Sequence, residues 1–113
     1  MKLLQTRELL HTRPARLHLL FAFLLALGAN VAYAADTNKG SGFFTMHCAS
    51  CHGATGDSVM PGAPNFSQGE GLMQADAQLL TVIKSGKNAM PGYRGILSDE
   101  DILDVIAYLR TLR

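Results

Sequence analysis

The only two cysteines of this 113-residue chain stand in "HCASCHG", residues 47–53, with a histidine directly after the second. Four chemistries use cysteines so close together. A disulfide between Cys48 and Cys51 would close so short a loop that little chain entropy is gained. A thioredoxin-like redox pair needs a βαβ surround, and no strand pattern flanks the motif. A zinc site needs a fourth ligand, and the only other histidine after residue 34 is His47, adjacent to Cys48. The fourth chemistry, covalent attachment of one haem c, takes C-x-x-C-H as it stands. Cys48 and Cys51 would add to two vinyl groups as thioethers about one helical turn apart, and His52 would supply a ring nitrogen to the iron. Both thiols are then consumed.

Haem iron has a second axial position, and after residue 34 the chain offers Met46, Met60, Met73 and Met90 for it. Met46 lies on the approach to the motif and reads as packing. Met73 precedes a helix and reads as a gap-filling side chain. Met60 and Met90 both begin the tripeptide "MPG". Met60 follows His52 by eight residues, in a loop that stays near the histidine side. Met90 comes 38 residues after His52, with a whole helix between, so its loop reaches the opposite side. Gly86 and Gly92 let the backbone approach closely, and Pro91 stiffens it. Met90 is the expected axial ligand.

The segments that must position these residues begin after a leader. Lys2, Arg7, Arg13 and Arg16 face a single acid, Glu8, before the apolar run "LHLLFAFLLALGANV" from Leu17 to Val31. The run ends in "AYA", Ala32 to Ala34, the small-x-small pattern of a cleavage site. A spanning helix wants about 20 apolar residues, so residues 1–34 read as a signal peptide rather than a membrane anchor, and residues 35–113 as one domain. That domain has six bases (Lys39, Lys84, Lys87, Arg94, Arg110, Arg113) and eight acids (Asp36, Asp57, Glu70, Asp76, Asp99, Glu100, Asp101, Asp104), a formal charge of −2. Nucleic acid would need a basic stripe, and none is present. A domain of this size generally needs an added core or staple, which a large apolar cofactor would provide.

Within the domain, "NKGSGFFTMHCASCHG" reads as a short helix carrying Phe43 and Phe44 into the motif. Five glycines and two prolines make Gly53 to Gly71 mostly loop. "DAQLLTVIKSG" is a helix with Asp76 as its N-cap and Gly86 as its stop, and "KNAMPGYRGIL" is a second loop. In "SDEDILDVIAYLRTLR", Ser98 caps a helix whose first turn is acidic. Ile102, Val105, Ile106 and Leu109 form its apolar stripe. The domain is expected to be all-α.

The combination of "CASCHG", "APNF", "NAMPGY" and the closing "VIAYLRTLR" resembles the class I cytochromes c in their short mono-haem bacterial form, across Lys39 to Arg113. The resemblance implies a small helical domain wrapped around a covalently attached haem. It implies that Pro64 offers its carbonyl to the other nitrogen of His52, and that Gly40 and Phe44 pack on Val105 and Tyr108. "PNFSQGEGLM" and "GKNAMPGYRGIL" are also similar to the cytochromes that accompany periplasmic nitrite reductases. The short loop between Pro64 and Asp76 carries Phe66, Leu72 and Met73 as its large apolar residues, so a haem edge is expected to be exposed. With both axial positions filled, the expected role is a soluble periplasmic one-electron carrier of the respiratory type, not an enzyme. It would pass electrons between a redox protein donor and acceptor, with no membrane attachment once the leader is removed. The alternatives are a haem subunit fixed in a larger oxidoreductase, and a gas-binding haem protein should Met90 leave the iron readily.

Overall fold

Asp36 starts the first helix, because its Oδ1 accepts the backbone N–H groups of Asn38 (2.9 Å) and Lys39 (3.2 Å), two donors the helix cannot satisfy internally. The computed structural model describes residues 33–113. The leader read from residues 1–34 therefore lies outside the described residues, save for Tyr33 and Ala34, and Ala34–Arg113 forms one contact unit.

Helix α1 spans Thr37–His47, and a break at Cys48 leads into the single turn α2, Ala49–His52. Gly53 ends α2 at φ 75°, and a Cβ there would lie 2.0 Å from the Asp57 carbonyl oxygen. The following loop contains one 3₁₀ turn, Phe66–Gln68. Helix α3 is Asp76–Ser85 and α4 is Asp99–Leu109. Among the described residues there is no strand, only isolated bridges between Lys87 and Met90 and between Arg94 and Leu97. The all-α expectation holds.

Helix α4 starts as its sequence demands. Ser98 Oγ accepts the Asp101 N–H (3.1 Å) while Asp101 Oδ2 accepts the Ser98 N–H (3.0 Å), a reciprocal capping box. Asp101 also pairs with Lys39 at 2.6 Å. The Lys39 ammonium, followed by Ser98, holds the Asp101 carboxyl down at about 2. A depressed carboxyl stabilises fully above its ordinary value of about 3.9, so this contribution disappears only as pH falls through about 2. Helix α3 departs from expectation. Asp76 is its first residue and Ala75 its N-cap, with Gln78 Oε1 accepting the Ala75 N–H at 3.3 Å. The Asp76 carboxylate instead engages Arg110, which also donates to the Gln74 carbonyl.

The apolar stripe of α4 divides between two clusters. Ile102 and Ile106 pack with Leu79, Ile83, Tyr93 and Leu97. Val105 and Leu109 pack with Phe44, Phe66 and Leu72. Helix α1 crosses α4 at Gly40, where a Cβ would stand 2.0 Å from the Asp104 carbonyl oxygen, and Phe44 lies against Tyr108 with ring centroids 5.4 Å apart. The expected contact of first helix on last is present. Asp104 is fully buried in that contact, with Oδ1 accepting the Asp36 N–H at 2.8 Å and Lys39 Nζ 3.5 Å from Oδ2. Two methionines expected inside are outside: Met46 is 74% exposed and Met73 85%. Met46 falls on the solvent side of α1, whereas Met73 precedes α3 and meets the Arg113 guanidinium at 3.7 Å.

The Gly40 contact leaves no room for a side chain, whereas a methyl group on Gly42, on a different face of α1, would meet nothing within 4 Å. Gly40→Ala should lower the unfolding free energy of the holoprotein by at least about 2 kcal/mol. Gly42→Ala should raise it by about 0.5–1 kcal/mol. Denaturant titration of the two variants side by side checks both signs.

Candidate haem site

The two apolar clusters contribute to the wall of one cavity of about 530 Å³, which Cys48, Cys51, His52, Met60 and Met90 also line. Cys48 and Cys51, both half-buried, come from the break after α1 and from α2. The turn is held by Cys51 N–H and His52 N–H, both donating to the Cys48 carbonyl (3.1 and 3.0 Å). Burial, with a smaller contribution from Cys51, pushes the Cys48 thiol up to about 11.

His52 is 7% exposed. Its Nδ1 lies 3.2 Å from the Pro64 carbonyl oxygen. A carbonyl only accepts, so Nδ1 carries the proton and Nε2 keeps its lone pair for a metal. Phe66 stacks on the imidazole with centroids 4.5 Å apart and planes at 21°, which fixes the ring from its side.

Met90 sits half-buried in a tight turn between Gly86 and Gly92. Its N–H donates to the Lys87 carbonyl (3.0 Å), and its carbonyl accepts the Lys87 N–H (3.1 Å). At Gly86 a Cβ would lie 2.7 Å from the Met90 carbonyl oxygen, and at Gly92 it would lie 2.8 Å from the Ser85 carbonyl. The turn closes because both glycines lack a side chain. Tyr93 N–H and Arg94 N–H then donate to Ile83 and Lys84, satisfying carbonyls that the end of α3 leaves open. Met60 also lines the cavity, but its segment belongs to the thiol side: Val59 N–H and Met60 N–H both donate to the Cys51 carbonyl at 3.1 Å.

The donor set fits a c-type haem. Two thiols, an imidazole with its tautomer fixed, a thioether on a separate rigid turn and apolar walls from Phe44, Leu79, Ile83 and Val105 converge on one space. Reading by spacing missed Phe66 as the stacking partner of His52, although an aromatic two residues after Pro64 is a visible signal. It also missed the Tyr93 hydroxyl, which donates to the His47 carbonyl at 2.7 Å; no local pattern announces a contact across 46 residues.

Comparison with known proteins agrees with this geometry. The model of the family described as cytochrome C oxidase, cbb3-type, subunit III matches residues 35–109. The chain is 33% identical to cytochrome c6 of Gracilaria tenuistipitata var. liui over 100 residues, covering 82% of this chain and 93% of that relative. It is 37% identical to cytochrome c6 of Nostoc sp. over 82 residues, covering 69% and 72%. The structure of cytochrome c6 from the diatom Phaeodactylum tricornutum superposes with a TM-score of 0.58 at 32% identity, over 68% of this chain and 93% of that one.

The 86–92 turn tolerates no Cβ at Gly92. Gly92→Ala is expected to displace the Met90 side chain and cost about 2 kcal/mol of stability, while Met60 stays in place. Methionine methyl resonances of the labelled protein check it: the Met90 signal should move and the Met60 signal should not.

Proposed function

Since the chain belongs to the class I cytochromes c, we propose that it is a soluble, exported electron carrier in which His52 and Met90 bind the haem iron and Cys48 and Cys51 form the two thioethers. One covalent haem c and one-electron transfer are properties of this family and of this chain. When bound, the haem supplies an iron centre that changes its charge by one electron. Every other task falls to the polypeptide.

Pro64 holds the Nδ1 proton of His52, which keeps Nε2 basic and the ring oriented. Phe66 covers the imidazole and excludes water from it. Met90 offers a soft, uncharged sulfur, a ligand type that raises the reduction potential. Its doubly hydrogen-bonded turn holds that sulfur donor on a rigid backbone, so little has to move when the charge changes. With both axial positions taken by side chains, no position is left for a substrate, which supports a carrier rather than an enzyme.

The observation that carries this reading is the convergence of His52 and Met90 on one cavity from segments separated by α3. Reading residues 1–34 as a removed leader places the carrier in the periplasm, with redox proteins as donor and acceptor. A fixed subunit of a larger oxidoreductase is the second reading, favoured by the description of the matching family model. It is set against the relatives of similar length that carry the name cytochrome c6.

Three measurements test the proposal. Met90→Ala should lower the reduction potential, by on the order of 0.1 V within the ~0.8 V that axial ligands command, and admit carbon monoxide to the reduced protein; Met60→Ala should do neither. The opposite result would reverse the axial assignment. Cys48→Ser with Cys51→Ser should abolish covalent haem and leave no cooperative unfolding transition. Intact mass of the exported protein should correspond to a chain starting at Ala35 plus one haem, and retention of residues 1–34 would favour the anchored subunit.

A further inference from the structure

Through its hydroxyl, Tyr93 ties the segment that follows Met90 to the end of the helix that leads into the thiols, and its backbone groups are all hydrogen-bonded as well. Its hydroxyl donates to the His47 carbonyl at 2.7 Å. Its N–H donates to the Ile83 carbonyl at 3.1 Å, and its carbonyl accepts the N–H groups of Ile96 (3.0 Å) and Leu97 (3.1 Å). His47 is the last residue of α1 and directly precedes Cys48; Ile83 lies in the last turn of α3, which leads to Met90. One residue thus satisfies an open carbonyl at the C-terminal ends of two helices. The ring is buried, lines the cavity, and meets the His47 ring edge-on with centroids 5.7 Å apart. Burial pushes the phenol above its ordinary value, so the group stays a donor through neutral pH.

We propose that Tyr93 is a positioning residue: its hydroxyl locks the Met90 turn to the Cys48–His52 segment and so sets how readily Met90 yields the iron to another ligand. The proposal rests on the axial role given to Met90 above. Without the hydroxyl, the turn keeps its backbone bonds at Gly86 to Gly92 but loses its tie across the cavity. Opening then costs less, while the resting structure stays the same.

The test compares wild-type holoprotein with Tyr93→Phe, which keeps the ring and removes only the donor. Imidazole is the probe, titrated into the ferric protein at pH 7 and followed by loss of the sulfur-to-iron charge-transfer band. Tyr93→Phe should bind imidazole about three- to tenfold more tightly, the range implied by one lost buried hydrogen bond. Leu72→Ala, in the other cluster, should lower the unfolding midpoint and leave imidazole affinity unchanged. An unchanged affinity in Tyr93→Phe, with the band present in wild type, overturns the proposal. Absence of the band in wild type instead overturns the axial reading on which it stands. Amide hydrogen exchange of the wild type gives a second measure, independent of the variant's folding. The N–H groups of Met90 and Cys48, donors to Lys87 and Phe44, should open with the same free energy. A Met90 amide that opens far more readily than that of Cys48 also overturns the lock.

Discussion

The apolar residues of this domain cannot close on one another, and the rest of the structure depends on that fact. Ile106 and Val105 are neighbours on α4, yet they serve different clusters, and both clusters contribute wall to the same cavity. A chain of this size generally needs an added core or staple. A large, flat, apolar group that cannot dissociate supplies one. The thiols are therefore as much a folding device as a chemical one: they make the cofactor part of the covalent chain.

Around that space the polypeptide divides its work between a rigid contact and two shaped turns. Gly40 brings α1 onto the backbone of α4 at Asp104, and Phe44 and Tyr108 fill the space beside it. The turn after α2 brings the Pro64 carbonyl and the Phe66 ring to His52. The turn after α3 folds back on itself at Gly86 and Gly92 to present Met90. The Cys48–His52 turn and the Lys87–Met90 turn are thus each closed by backbone hydrogen bonds rather than by side-chain packing alone.

Much of this was legible because the chemistry is local. Cys48, Cys51 and His52 occupy one helical turn, and the Ser98–Asp101 cap and the 102–109 stripe obey short-range rules. Met90 and Pro64 needed reach and resemblance, and both line the cavity. What stayed hidden is what depends on tertiary competition. Asp76 looks like a cap, but Arg110 captures its carboxylate. Asp104 enters only as one of eight acids in the charge count, but the close approach at Gly40 buries it against Asp36 N–H and Lys39. Met46 and Met73 read as packing side chains from their places beside the motif and before a helix, yet both are exposed. Tyr93 and His47 are joined across the whole of the intervening chain.

The crossing of Gly40 over Asp104 has a bearing on the order in which the molecule is made. It joins the two ends of the domain, so its loop-closure entropy is met only after the C-terminal helix exists. A nascent chain leads with its amino end, and Cys48 and Cys51 therefore emerge while the helix that will enclose them is still to come.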